Sequence, residues 1–243
     1  MRVREAPTNR ALSLFRKAIA IDPSFARAYA GLAWTLQDVA SYSAYSDSDA
    51  SISQLRDEAL RCGLKAVELD DADSKPHTIL GWVYHNRRDF EVARRHLDRA
   101  FSLNPNDADG LILRALLLTL AGDATAGTTC ATQAIRLNPY HPGYYLSVLG
   151  ACHFFGRNYA EAVRAREKVA HGFPEHHASL AAAYALAGDQ DKAAEALADF
   201  LKRASAYWKE PPTARLISDM FVFRRKEDEA LYFDGLRKAG LPE

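Results

Sequence analysis

From Ser74 to Asp107 the apolar positions fall at helical rather than strand spacing. Leu80, Gly81 and Tyr84 share one face of a first predicted helix; Ala93, Leu97 and Ala100, at i, i+4 and i+7, share one face of a second. Asn86 to Asp89 makes the turn between them, Pro105 cannot continue the second helix, and Asp107 stands where it caps the next. The layout repeats. Asp22-Pro23, Asn104-Pro105 and Asn138-Pro139 each close a phrase of the form Ala-apolar-x-apolar. Pro105 to Pro139 is 34 residues, Asp71 to Pro105 is 34, and Pro139 to Pro174 is 35. Ala121-Gly122-Asp123 and Ala187-Gly188-Asp189 supply a glycine to end one helix and an aspartate to cap the next.

A hairpin of two helices cannot bury its apolar face alone, so a run of such units stacks and shares a core. Small residues at Gly81 and Ala93 let the paired helices approach closely. The pattern resembles the tetratricopeptide repeat, a family of 34-residue helix-turn-helix units. The third unit carries Leu80, Gly81, Tyr84, Ala93, Leu97, Ala100 and Pro105 at its expected positions. The fourth keeps Ala115, Leu118, Ala134 and Pro139, with Arg114 and Gly127 as departures. The fifth keeps Leu149, Gly150, Ala162 and Pro174; the sixth, about 175 to 208, is read on Ala182, Ala194 and Leu201. The second has Tyr29, Leu32 and Ala33, then Ala59 and Ala66 after extra residues. The resemblance implies an all-α solenoid wound as a right-handed superhelix.

Three regions follow: a half-repeat over 1–24, the solenoid over 25–208, and capping helices over 209–243. In the half-repeat Ala11, Phe15, Ala18 and Pro23 fit a second helix, but residues 1 to 8 are too few for its partner. Either they form a stub or the chain is the C-terminal portion of something longer. The second unit carries about 14 extra residues near 38–54, rich in serine, tyrosine and aspartate, which predict a lengthened first helix and a solvated loop. Past Tyr207 the period breaks, and Phe221, Phe223, Leu231, Tyr232 and Leu236 are apolar enough to cover the last repeat.

The tail from Phe223 to Glu243, the phrase Asp22 to Trp34 and the enlarged second unit are similar to the repeat regions of proteobacterial class III adenylate/guanylate cyclases. That resemblance implies an alternative role as a regulatory or oligomerising arm in cyclic nucleotide signalling. The family's catalytic domain needs paired metal-binding aspartates on a mixed sheet. No strand-rich region is found here, so no catalytic residue carries over and the chain is expected not to be an enzyme.

Composition narrows the partner. Lysine plus arginine and aspartate plus glutamate are each 31, giving a formal net charge of zero, and 48% of residues are hydrophobic. The basic pairs Arg87-Arg88 and Arg94-Arg95 are interleaved with acids, so no nucleic acid partner is expected. No apolar run nears the roughly 18 residues of a membrane span. The charged start, with no secretory signal pattern, and three scattered cysteines, Cys62, Cys130 and Cys152, favour the cytoplasm. Gly122 to Thr129 imitates a phosphate loop, but Thr128 stands where lysine is needed. His171, His176 and His177 lack a carboxylate or cysteine at metal-ligand spacing and read as exposed turn histidines. No cofactor and no metal are expected.

The tetratricopeptide resemblance implies that first helices line a concave groove holding a protein or peptide. Its groove offsets give Arg27, Trp34, Gln37 and Asp38 from the second unit and Lys75, Thr78, Trp82, His85 and Asn86 from the third. They give Asp109, Ile112, Leu116 and Thr119 from the fourth, and Tyr144, Ser147, Phe154 and Phe155 from the fifth. Trp34 and Trp82 then make an aromatic ridge, continued by Leu116, suited to an apolar or amphipathic segment. Only Lys75 and Asn86 resemble a carboxylate clamp. Self-association through the half-repeat is a further expectation.

Overall fold

The computed structural model describes residues 2–43, 49–169, 174–205, 212–218 and 221–242. Among these, regular structure is entirely helical, and the chain divides into two compact units, Met1–Pro105 and Asn106–Glu243. That division falls inside the stretch read from sequence as one solenoid.

The first unit holds α1 (Arg2–Ile21), then the hairpin of α2 (Ala26–Ser43) and α3 (Asp49–Leu69), then that of α4 (Ser74–Asn86) and α5 (Phe90–Leu103). Its core gathers Leu32, Ala33, Leu36, Ala59, Ala66, Ile79 and Val83, with Leu12, Phe15 and Ile19 of α1 packed against it. The small residues act as the spacing predicts. A Cβ on Gly81 would lie 2.7 Å from the Leu97 side chain and 3.4 Å from the Ala93 carbonyl oxygen. The extra residues of the second unit lengthen both helices: 38–43 continue α2 and 49–54 begin α3. Ser41 tolerates the helix because its hydroxyl donates to the Gln37 carbonyl at 2.9 Å. The loop expected between them lies at 44–48, outside the described residues.

The second unit holds the hairpins of α6 (Ala108–Leu120) with α7 (Ala124–Leu137), α8 (Tyr144–Phe155) with α9 (Tyr159–Glu167), and α10 (Pro174–Ala187) with α11 (Gln190–Ala204). The short α12 (Ala214–Ser218) and α13 (Lys226–Lys238) follow. At Gly127 a Cβ would meet the Thr119 hydroxyl and the Ala115 carbonyl, so the departure from alanine answers the bulk of Thr119.

One bond recurs in both units and fixes the register. The backbone N–H of Asp89, Asp123, Asn158 and Asp189 donates to the carbonyl of Tyr84, Leu118, His153 and Tyr184 respectively. Counting back from these acceptors, Gly81, Ala115, Gly150 and Ala181 are equivalent. The sixth unit therefore reads Ala181, Ala193 and Phe200, all fully buried, and not Ala182, Ala194 and Leu201. Ala194 is exposed and Leu201 is 36% exposed. The slip arises because Ala181-Ala182-Ala183 and Ala193-Ala194 offer no contrast to choose between. Pro174 is corrected too: it opens α10, at a position where a missing N–H costs nothing, instead of following α9.

Helix α13 lies on α10. A Cβ on Gly235 would be 2.9 Å from that of Ala182, Ser179 and Tyr232 share a hydroxyl hydrogen bond of 2.8 Å, and Leu236 is fully buried. The Arg224 N–H donates to the Leu120 carbonyl at 3.0 Å, and Ala214 N–H to that of Pro242 at 2.9 Å. Arg225 grips the buried Asp228 with two hydrogen bonds, at 2.9 and 2.8 Å.

Candidate protein-binding surface

In the first unit, α2 and α4 bring the two tryptophans together. Trp34 and Trp82 have ring centroids 4.7 Å apart and planes tilted by 55°. Trp34 is 41% exposed and Trp82 half-buried. Arg27 and Lys75 stand exposed seven residues before them, about 10 Å along each helix. Asp38 and Asn86, half-buried, follow four residues after. Asn86 donates to the Trp82 carbonyl at 2.9 Å, so it trims the helix end more than it offers a free amide.

Arg27 is held by Asp73, the N-cap of α4, at 2.6 Å. Burial works against the Asp73 charge, but the Lys75 N–H and the Arg27 guanidinium outweigh it and hold the carboxyl below its usual range. Three candidates from this unit are buried: Gln37, Thr78 and His85. Thr78 returns its hydroxyl to the Ser74 carbonyl, and His85 meets Phe90 edge-on. Gln37 donates weakly to the Ser41 hydroxyl at 3.3 Å, while its side-chain oxygen has no partner.

In the second unit the candidates do different work. Asp109 accepts from both Tyr144 at 3.0 Å and Tyr145 at 2.7 Å. Burial, then that carboxylate, pushes the Tyr145 hydroxyl up to about 12 and raises Tyr144 as well. Ile112, Thr119 and Phe154 are buried, and Leu116 and Ser147 half-buried. Ser147 shares a hydrogen bond of 3.1 Å with His176. Phe155 packs against Phe223 at 5.3 Å and Tyr232 at 6.3 Å, and Phe154 against Tyr232 at 5.8 Å. The chain's own tail thus sits on the face where a ligand was expected. Of the seventeen sequence candidates, six are interior side chains. The reason is physical: an offset fixes a direction from the helix, but a neighbouring helix or segment fills that direction.

The chemical alternatives resolve as follows. The glycines of the phosphate-loop imitation serve a helix hairpin: Gly122 makes the turn with φ of +98°, Asp123 caps α7 through the Ala126 N–H, and Gly127 lies within α7. His176 and His177 are not turn residues but lie on α10; His177 pairs with Asp199 at 3.1 Å. Burial, helped by Arg166 and His177, drives His176 down to about 3. His171 lies outside the described residues. Among the described residues no group of three His, Cys, Asp or Glu side chains could hold a metal, and no helix is long and apolar enough to cross a membrane.

Residues 75–107 match the model of the Tetratricopeptide repeat family. No curated protein matches the chain by sequence. Several of the solved structures that resemble it illustrate the likeness. The first is the Cut9-Hcn1 hetero-tetramer of the APC/C, with 17% identity over 88% of this chain and 39% of that one, at a TM-score of 0.69. The second is human IFIT1, solved as a dimer with PPP-AAAA: 16% identity, 81% of this chain, 47% of that one, TM-score 0.69. The third is a thermophilic tetratricopeptide-repeat protein of Thermus thermophilus: 21% identity, 79% and 91%, TM-score 0.56. The chain spans less than half the length of the first two. At these identities the likeness is one of fold, and the fold is the tetratricopeptide-repeat α-solenoid.

Proposed function

We propose that this chain is a non-catalytic protein-interaction module, and that its first unit captures an apolar or amphipathic peptide segment across Trp34 and Trp82. The observation that carries the reading is the tryptophan pair, Trp34 exposed and Trp82 half-buried, flanked by Arg27 and Lys75 at one end and by Asp38 and Asn86 at the other. Tryptophan at a contact centre supplies large area at low entropic cost, and such residues dominate binding energies. The fold supports the general role, since stacked hairpins offer an extended surface. Buried thiols rather than disulfides at Cys62, Cys130 and Cys152 fit a reducing compartment such as the cytoplasm.

The test is to select peptides from a random library on the intact chain and measure their affinity for wild type and Trp82→Ala. Loss of a centre of this kind is worth about 2 kcal/mol or more, so binding should weaken at least about tenfold. Circular dichroism should show unchanged helicity. Equal affinity for the two proteins would remove the tryptophan pair from the site. The finer alternative, an arm of a nucleotidyl cyclase, rests only on the wording of the Phe223–Glu243 tail and its companion phrases; a catalytic domain encoded in frame upstream would support it.

A further inference from the structure

Eight residues on from the recurring donors Asp89, Asp123, Asn158 and Asp189 stand Leu97, Ala131, Arg166 and Leu197. All four are buried, and only Arg166, on α9, is not apolar. A charged side chain thus occupies a core position of the repeat. Gly150 makes the room for it: a Cβ there would lie 2.6 Å from the Arg166 Cγ, as one on Gly81 would meet Leu97. Arg166 is 6% exposed, and its Nε has no hydrogen-bond partner. Among the described residues no carboxylate pairs with its guanidinium. A guanidinium this deep is ordinarily paired, because taking it out of water unpaired is costly.

The groups around it do not supply the missing charge. Burial lowers Arg166 to about 10, and the Tyr232 hydroxyl and Cys152 thiol are near enough to pull it back up. Neither is an anion: burial pushes the thiol up to about 11 and the hydroxyl up to about 12. What the surroundings do supply is hydroxyl donors. Tyr232 of α13 and Ser179 of α10 share a hydrogen bond of 2.8 Å, and Ser147 of α8 shares one of 3.1 Å with His176 of α10. Burial, helped by Arg166 and His177, keeps His176 uncharged, and Glu175 in the first turn of α10 acts on Tyr232. One guanidinium with no second charged cation suits a monoanion and not a dianion such as phosphate. A carboxylate matches the planar fork and keeps lone pairs for the hydroxyls.

We infer that Arg166, with the hydroxyls of Ser147, Ser179 and Tyr232, forms a binding site for a single carboxylate between α8, α9, α10 and α13. The carboxylate belongs to a small free acid or to an acidic side chain of a peptide. The guanidinium takes it with two parallel N–H donors, and the hydroxyls donate to its remaining lone pairs. Tyr232 is one wall, so a ligand larger than a small acid displaces it. The site belongs to the second unit and shares no residue with the tryptophan pair.

The test is to titrate the full chain with acetate against chloride at constant ionic strength, following the Tyr232 ring and Arg166 Nε–H resonances. Acetate should shift them to saturation, and chloride should not. Arg166→Leu restores the residue of Leu97 and Leu197, so it should melt no lower than wild type while weakening acetate at least about tenfold, read at Tyr232. Arg166→Lys should fall between, since it keeps the charge and loses the fork. Ser179→Ala should weaken acetate about threefold. A capped apolar helix with one central glutamate, and its glutamine twin, separate the two sources. Displacement of acetate by the glutamate helix alone makes a peptide the source; acetate binding that neither helix disturbs makes it a small acid. No saturable shift, phosphate binding more tightly than acetate, or equal acetate binding by wild type and Arg166→Leu overturns the site. Each of those results leaves the tryptophan reading standing, because Trp82→Ala tests that separately.

Discussion

Trp34 and Trp82 in the first unit and Phe154 and Phe155 in the second come from first helices of their hairpins, at positions where the family resemblance implies a groove. The tryptophans meet each other and solvent. The phenylalanines meet Phe223 and Tyr232, with Phe221 joining at 5.4 Å from Tyr232. One aromatic cluster is therefore a surface and the other an interior. Both sets are aromatic and sit on first helices, although Phe154 and Phe155 stand at the offsets of His85 and Asn86 and not at that of Trp82; a segment from far along the chain covers the second set. An aromatic residue at a groove position is a binding candidate only where nothing local or distant covers it.

The largest expected effect comes from lifting that cover. Tyr232 is 3% exposed, shares a hydrogen bond with Ser179 and packs against Phe154, Phe155, Phe221 and Phe223. Tyr232→Ala should cost about 3–5 kcal/mol, read as a lower urea midpoint, and should raise the binding of a hydrophobic dye as the phenylalanines come open. Trp34→Ala, on the uncovered side, should cost only about 1 kcal/mol. Equal losses from the two changes would erase the distinction between the clusters.

The sequence makes the repeat legible because hairpin geometry is local. A turn, a cap and two small residues in 34 positions identify Gly81, Ala93 and Asp89 without knowledge of the rest. It fails where the signal is degenerate, as at Ala193 and Ala194, where adjacent alanines conceal a one-residue slip. It fails again where the cause is distant. Nothing between Tyr144 and Phe155 reveals that Phe223 and Tyr232 will come back over it. The Arg27 to Asp73 contact spans 46 positions and is equally hidden. His77 and His96 escaped notice for a related reason: a histidine pair becomes a feature only when α4 and α5 bring the rings together.

That pair supplies a mid-sized test confined to the first unit. Burial, then His77 and Arg95, drives His96 down to about 4, and burial and Arg99 lower His77, with the Asp71 carbonyl and carboxylate pulling the other way. An unfolded histidine titrates near 6.5, above these folded values. Between about 6.5 and 4 the unfolded chain therefore binds more protons, so stability rises with pH across that window. The contribution is complete above about 6.5 and is lost as pH falls toward 4. His96→Phe, which keeps a ring on Tyr84, should melt closer to wild type at pH 5 than at pH 7.5. A pH dependence identical to wild type would mean the pair contributes nothing to acid lability.

The smallest effect distinguishes the turns. Arg88 in the first unit and Arg157 in the second sit at φ of 63° and 62°, in the left-handed region where Gly122 and Gly188 serve the equivalent turns. A non-glycine residue there costs about 1–2 kcal/mol, while glycine costs about 0.5–1 kcal/mol in chain entropy. Arg157→Gly should therefore raise the urea midpoint by an amount worth about 0.5–1 kcal/mol. Gly188→Ala is the reverse experiment, and a clean one, because a Cβ added at Gly188 has nothing within 4 Å to strike. Any loss there belongs to the backbone alone. If Gly188→Ala is neutral, the turns are held by the Asp189 N–H to Tyr184 carbonyl bond and the Asp189 cap on Lys192, and left-handed strain is not what separates arginine turns from glycine turns.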